Sequence, residues 1–176
     1  MVVVMNFRYI FSLLIAVLAL NPAWGLPEPV SRLMDNPEEV GSTRFSVLFW
    51  DVYDISLYAE EGEFNPERPF ALRLTYLRDL KGELIAERSA EEMRHQGVNE
   101  VKLAEWFAQM RSIFPDVEPG TELVGVFSPD SPTRFYSGPE VIGEVLDPAF
   151  GVLFSRIWLG ERTRQPAMRN KLLGRG

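Results

Sequence analysis

The sequence predicts an α+β domain built on a mostly antiparallel β-sheet. The prediction depends on the order of its patterns, which is strands, two helices, three short strands and a further helix. A length of 176 residues fits one domain, and a hydrophobic fraction of 46% is sufficient for a core. The chain contains no cysteine and a single histidine, His95, which excludes disulfide frameworks, zinc–thiolate and iron–sulfur sites, a thiol nucleophile and multi-histidine metal sites. We therefore expect neither a metal nor a cofactor.

Residues 1–25 have the pattern of a secretory signal peptide, which predicts a signal peptide over 1–25 and a domain over 26–176. One charge, Arg8, precedes an unbroken apolar stretch over residues 10–20, and small residues follow at Ala23 and Gly25. The stretch is shorter than the roughly 20 residues that a bilayer-spanning helix needs. We expect cleavage after Gly25 and export to the periplasm or secretion. An uncleaved anchor is the alternative.

The first part of the domain predicts strands. Thr43–Val52 and Tyr53–Ala59 are rich in aromatic and β-branched residues and alternate in places. No glycine or proline separates them, so they are predicted as two strands or as one long bent strand. Phe70–Arg78 alternates again, which indicates a strand with one polar or ligand-facing side.

Two helices are predicted next. Glu83–Gln96 contains good helix formers and ends at Gly97, the residue type that most easily adopts the left-handed cap conformation. Asn99 is placed to cap the second helix, which ends before Pro115. Its apolar residues recur at a spacing of three and four and indicate a buried face: Leu103, Trp106, Phe107, Met110, Ile113 and Phe114.

The last part of the chain predicts three short strands and two helices. The strands cover residues 121–127, 134–137 and 141–145, with turn residues between them. Asp147-Pro148 is a strong helix start, since a capping carboxylate precedes a proline at the first helical position. A short final helix is predicted over 166–173.

The charge is distributed unevenly. The formal net charge is −7, yet the segment from Arg156 to Gly176 carries a single acid, Glu161, against six basic residues: Arg156, Arg162, Arg164, Arg169, Lys171 and Arg175. This basic tail predicts at most a weak contact with an anionic membrane, and a solvated helix is the alternative. The acidic total and the lack of aromatic residues beyond Trp158 argue against a nucleic-acid partner.

Three segments resemble the bacterial exported branch of the chalcone isomerase-like family. They are VLFWDVYDISLYA over residues 47–59, YLRDLKGELIAERSAEEMRHQG over 76–97, and the end of the chain over 147–173. The resemblance covers about residues 38–173. It implies an open-faced β-sandwich in which helices pack on one face of an antiparallel sheet, with a ligand cleft between them. The superfamily includes plant enzymes that close a chalcone to a flavanone and relatives that bind fatty acids.

The resemblance also implies which residues of the first long helix correspond to the polar residues of the plant enzyme. When the glycine of the plant enzyme's pattern is aligned with Gly82, its tyrosine falls on Ile85, its lysine on Arg88 and its asparagine on Glu92. Ile85 cannot donate a hydrogen bond to a ketone, and Glu92 adds negative charge where a phenolate would bind. Both differences disfavour flavonoid cyclisation, so the catalytic residues stay unassigned.

Two strand residues match family positions better. Arg44 is the nearest match to an arginine that steers an oxyanion or a carboxylate, and Tyr53 matches a hydroxyl residue. Together they would form a carboxylate clamp, and the alternative is that Arg44 pairs with an edge acid while Tyr53 is part of the core. Arg78, Asp79 and Lys81 stand where the third strand gives way to the helix, and they either reach the cleft mouth or lie in a solvated turn. His95 is interpreted as a helix-end histidine rather than a catalytic base.

These patterns predict an exported, non-catalytic binder of a fatty acid or similar amphipathic carboxylate, with Arg44, Tyr53, Ile85 and Arg88 as the ligand-binding residues. One alternative is an isomerase of the intramolecular lyase type that acts on an unknown metabolite. Another is a cell-envelope interaction protein without a ligand. The sequence leaves the oligomeric state open.

Overall fold

The computed structural model of the protein describes residues 26–176, so the predicted signal peptide lies outside the described residues. A six-stranded sheet forms the centre of the molecule, and each strand is antiparallel to its neighbours in chain order. The strands are β1 Pro37–Val47, β2 Trp50–Glu60, β3 Phe70–Tyr76, β4 Glu122–Phe127, β5 Thr133–Ser137 and β6 Glu140–Val145. The predicted α+β class is confirmed.

The first two strands form a hairpin, so the prediction of one bent strand over residues 43–59 is wrong. The chain reverses at Leu48 and Phe49, where no glycine, proline or asparagine marks a turn. Leu48 makes the reversal by adopting a positive φ of 56°. Phe45 pairs with Tyr53 and Ser46 with Asp51, so Val52 is the extra residue of a β-bulge.

Five helices accompany the sheet in the described residues. They are α1 Glu28–Ser31, α2 Gly82–His95, α3 Glu100–Ile113, α4 Pro148–Leu159 and α5 Pro166–Leu172. The residues predicted to cap the ends of the long helices are confirmed in that role. Asn99 accepts a hydrogen bond from the Val101 amide at 2.9 Å, Asp147 accepts one from the Ala149 amide at 3.1 Å, and Gly97 has a φ of 90°. The short α1 was not predicted, because four residues carry no periodic pattern.

Asp116 fixes the start of α2 from outside the helix. Its carboxylate accepts hydrogen bonds from the Gly82 amide at 3.0 Å and from the Lys81 ammonium at 2.6 Å. Gly82 also lies against the following loop, where a Cβ atom would stand 2.0 Å from the carbonyl oxygen of Phe114. The beginning of α2 is therefore held close to the end of α3, and this contact sets the position of the helix over the sheet.

The two faces of the sheet are covered differently. α2, α3, α4 and α5 pack on the inner face and form the main core, with Trp106 and Phe150 almost fully buried. The segment before β1 covers part of the outer face, where Val30 and Met34 pack against Tyr58. The fold is thus an open-faced sandwich whose helical layer lies on one side.

Part of the basic tail is engaged within the fold. Arg162 donates hydrogen bonds to the carbonyl oxygens of His95 and Gln96 at the end of α2, and Arg169 donates to the carbonyl of Leu159 at 2.8 Å. Cations at the carboxyl ends of helices are stabilising because exposed carbonyls concentrate negative charge there. Membrane contact by the tail remains a prediction, but these two arginines already have structural roles.

Candidate ligand cavity

A cavity of about 740 Å³ lies between the inner face of the sheet and the helices. Its floor comes from β1 to β5, its roof from α2 and α4, and one side from the segment that leads into α5. The wall is mainly apolar and aromatic, with Leu72, Leu74, Phe127, Phe135, Phe154 and Met168 among its residues. This size and lining suit a small or medium-sized ligand with a large apolar part.

Aromatic side chains of β1, β2 and β3 form one end of the cavity. The rings of Phe45 and Tyr53 stack with centroids 5.0 Å apart, and the ring of Tyr76 meets that of Tyr53 edge-on at 6.0 Å. All three rings line the cavity. Such packed rings lose little freedom when a ligand binds, so they provide a rigid apolar surface.

Tyr53 supplies a polar group in this aromatic wall. Its hydroxyl oxygen accepts a hydrogen bond from Nε1 of Trp158 at 3.0 Å. Burial raises the pKa of Tyr53 to about 12, although the Trp158 hydrogen bond works in the opposite direction. Burial likewise raises the pKa of Tyr76 well above its usual value. Both phenols therefore stay protonated at neutral pH and are hydrogen-bond donors rather than bases.

The face of α2 that the family alignment singles out does line the cavity. Ile85, Arg88 and Glu92 all contribute to its lining, at successive turns of the helix. Arg88 forms ion pairs with Glu91 and Glu92, and Arg164 joins them through Nη1, 3.0 Å from Glu92 and 3.5 Å from Glu91. Two arginines thus face two carboxylates at this part of the rim, and the cluster is electrically balanced.

Arg78 occupies a different part of the rim. It lines the cavity, and its guanidinium lies over the ring of Trp50, 5.1 Å from the centroid. Within residues 26–176, no carboxylate lies at ion-pair distance from Arg78. A guanidinium can stack its face on a ring while its edge binds a carboxylate. Arg78 therefore brings an unneutralised positive charge to the mouth of the cavity.

The structure separates the two members of the predicted clamp. Tyr53 lines the cavity, whereas Arg44 does not. The guanidinium of Arg44 binds Asp54 at 2.7 Å and Asp51 at 2.9 Å, and these hydrogen bonds raise its pKa above the usual value. Successive residues of a strand point to opposite faces, so Arg44 and its neighbour Phe45 cannot both face the cavity. Arg44 lies on the outer face, paired with acids, and Arg78 is the cation that the structure places at the mouth instead.

Other candidate residues lie outside the cavity or have structural partners. His95 is exposed at the end of α2 and is not part of the lining. In the described part of the chain, no group of three or more histidine, cysteine, aspartate or glutamate residues is arranged to hold a metal ion. The helices described here include none long and apolar enough to cross a membrane.

Two contacts of the site could not be predicted from the sequence. The hydrogen bond from the indole N–H of Trp158 to Tyr53 joins residues that are remote in sequence, and no local pattern indicates it. Arg78 was considered, but the ring contact that holds it depends on the unpredicted hairpin. The available signal was the alternation of the predicted strand Phe70–Arg78, which puts Arg78 on the same face as Tyr76.

Comparisons with known proteins agree with this architecture. No curated protein sequence matches the chain significantly. The crystal structure of a fatty-acid binding protein from Arabidopsis thaliana is similar in fold, with a TM-score of 0.60 and 14% sequence identity, and the match covers 80% of this chain and 88% of that one. The family model described as chalcone isomerase-like matches residues 40–174. The chain therefore belongs to the chalcone isomerase-like family.

Proposed function

We propose that the protein binds a fatty acid or a similar amphipathic carboxylate in the cavity, without covalent chemistry. One observation carries the proposal: an apolar cavity of about 740 Å³ whose rim includes Arg78, a cation without a carboxylate partner among the described residues. The similarity in fold to a plant fatty-acid binding protein supports the same proposal. Ile85 supports it too, since this side chain has no polar group with which to act on a ketone.

The apolar wall supplies most of the binding free energy in this proposal. Burying ten methylenes contributes about 8 kcal/mol before the costs of binding, at about 0.8 kcal/mol for each methylene. Losses of translational, rotational and chain freedom remove much of this gain. A modest polar contact is then sufficient to orient the ligand, and one arginine with a phenol donor provides it.

We place the head group at Arg78 because the other rim cations are already neutralised. A carboxylate that approached Arg88 or Arg164 would also meet Glu91 and Glu92, whose charges repel it. At Arg78 the described contact is with an uncharged ring, and Asp79, which also lines the cavity, forms no ion pair with Arg78 among the described residues. The acyl chain would then run along the wall formed by β3, β4 and α4.

A binding assay in aqueous solution tests the proposal. We expect the purified protein to bind a fluorescent fatty acid and change its emission. We also expect native mass spectrometry to detect bound lipid. Ile85→Trp places a bulky ring in the cavity and should weaken binding at least tenfold, whereas Val101→Trp, on the exposed side of α3, should leave it unchanged. Absence of bound lipid together with absence of fatty-acid affinity would refute the proposal. Turnover of a chalcone above the uncatalysed rate would favour the isomerase alternative.

We also propose that the protein works in the bacterial cell envelope, either in the periplasm or after secretion. The basis is the sequence pattern of residues 1–25, which the structure does not describe. The test is to separate cells into cytoplasmic, membrane and periplasmic fractions and to measure the mass of the protein in each. A chain that begins at Leu26 in the periplasmic fraction is expected, and an intact chain in the cytoplasmic fraction would contradict export.

A further inference from the structure

The turn of the β1–β2 hairpin exposes four consecutive apolar residues, which we call the hairpin tip. Val47, Leu48, Phe49 and Trp50 are 50%, 86%, 98% and 62% exposed. Leu48 and Phe49 are the two most exposed large hydrophobic residues of the described chain. Contiguous exposed apolar residues commonly mark a surface that contacts a partner or a membrane.

The backbone of the tip adds an independent observation. Leu48 has a φ of 56°, in the left-handed region that glycine or asparagine adopts at lower cost. Leucine gains nothing at this position from packing, since its side chain is almost completely in solvent. Neither the conformation of the turn nor the core of the protein therefore accounts for this residue.

The tip is mounted on an ordered base. Directly behind it, on the outer face, Arg44 binds Asp51 and Asp54, and the Ser46 hydroxyl donates to Asp51 at 2.6 Å. These contacts join both strands of the hairpin across the turn. They also make the base net acidic, so attraction between the tip and an anionic surface would be weak.

The inner side of the hairpin continues into the cavity. Val47 and the bulge residue Val52 belong to the cavity lining, and so does Leu84, which is 43% exposed on the facing helix. Arg78 bridges the two features, since it lines the cavity and stacks on Trp50 of the tip. The tip and the mouth of the cavity thus share the apolar residue Val47 and are joined by the contact of Arg78 with Trp50.

We propose that the hairpin tip enters the interface of a lipid bilayer and holds the mouth of the cavity against it. The ligand would then move between bilayer and cavity with little exposure to water, and this part of the inference rests on the proposed function. Phe49 projects with 98% of its surface exposed. A fluid bilayer surrounds such a projection on all sides, whereas a folded partner would need a matching socket. Phenylalanine and tryptophan are also favoured at the interface, and the acidic base predicts binding that depends on apolar burial more than on salt.

A reporter at the tip tests the membrane contact. The full chain has no cysteine, so Phe49→Cys offers one site for an environment-sensitive fluorophore. Val101→Cys is the matched control, because Val101 is 78% exposed on α3, which packs near β6 at the opposite edge of the sheet. With phosphatidylcholine vesicles that contain no free fatty acid, we expect a blue shift and brighter emission at position 49 alone. Because the readout is local, binding by residues 1–25 does not imitate it.

Three results would overturn the inference. The first is an unchanged signal at position 49 with both phosphatidylcholine and anionic vesicles. The second is an equal change at positions 49 and 101, which indicates that the tip has no special role. The third is a change at 49 that appears without vesicles as protein concentration rises, which assigns the tip to a second copy of the chain.

A tip variant separates this inference from the proposed function. Leu48→Asn with Phe49→Ser removes the two most exposed apolar side chains of the tip, and asparagine suits the positive φ at position 48, so the fold should be retained. We expect transfer of a fluorescent fatty acid from vesicles to slow about tenfold or more, with unchanged affinity in vesicle-free solution. Equal transfer rates for the variant and the wild type would contradict the role of the tip. A tip signal in a protein without fatty-acid affinity would refute the proposed function and leave the membrane contact in place.

Discussion

Replacing Arg78 by methionine should weaken binding of a fatty acid and leave binding of its methyl ester almost unchanged. Methionine keeps much of the length and apolar character of the arginine side chain but has no charge and no N–H donors. Arg78 lines the mouth of the cavity and contacts the ring of Trp50 rather than a carboxylate. The substitution therefore removes one specific partner of the proposed head group while the apolar wall stays in place.

The size of the effect follows from the position of Arg78. A hydrogen bond to a charged group contributes about 1.5 to 3 kcal/mol, and partial exposure to water moves the value towards the lower end. We expect a loss of about 1 to 2 kcal/mol, which corresponds to a dissociation constant raised about 5- to 30-fold. Loss of the contact with Trp50 should cost the fold only about 0.5 to 1 kcal/mol, since this contact is near the surface.

Competition with a fluorescent fatty acid in vesicle-free buffer provides the measurement, with the acid and its methyl ester as the two competitors. Arg44→Met is the matched control, since Arg44 is also an arginine of the hairpin region but lies outside the cavity lining. It should change neither dissociation constant. Equal weakening of acid and ester by Arg78→Met would indicate damage to the cavity and refute the assignment of the head group. If Arg88→Met weakened the acid selectively instead, the head group would belong at the α2 rim.

Three further predictions concern the fold. Gly82→Ala should lower the free energy of unfolding by about 1 to 3 kcal/mol, because the new Cβ would stand 2.0 Å from the Phe114 carbonyl oxygen. Urea denaturation measures this change, and a variant as stable as the wild type would contradict the close packing at Gly82. Asn99→Ala should cost about 1 kcal/mol through loss of the helix cap, with Asn99→Ser restoring most of it. Hydrogen bonds from Lys81 and from the Gly82 amide lower the pKa of Asp116, so its contribution to stability is complete above the unfolded-state value of 3.8 and is lost as pH falls through the lower folded-state value. The Asp116→Asn variant should therefore be less stable at neutral pH and lose less of its remaining stability on acidification, as thermal melts at several pH values would reveal; parallel curves for variant and wild type would contradict it.

The parts of the fold that could be predicted from the sequence depend on local chemistry. Asn99 and Asp147 mark helix starts because a side-chain oxygen beside free amides stabilises a helix wherever it occurs. Gly97 marks a helix end because its φ of 90° is costly for other residues. The resemblance placed the family over residues 38–173, and the family model covers 40–174.

The faces of the first two strands could not be predicted in this way. Leu48 makes a turn that its residue type disfavours, and the bulge at Val52 shifts the alternation of β2 by one position. A period of two, read along residues 43–59 as one strand, therefore assigns side chains near the turn to the wrong faces. The pairing of Arg44 with Tyr53 has a different origin, since it was carried over from family positions, and the structure places the two residues on opposite sides of the sheet.

The contrast between Arg44 and Arg78 shows why the second is the better carboxylate partner. A ligand carboxylate at Arg44 would have to displace Asp51 or Asp54 and leave that acid without its cation, so little free energy would be gained. At Arg78 the ring of Trp50 orients the guanidinium but leaves its N–H edge without an anionic partner. The aromatic contact thus holds the charge in position without neutralising it. It also connects the head-group position to the hairpin tip, so a tip seated in a bilayer would bring Arg78 to the level at which lipid carboxylates lie.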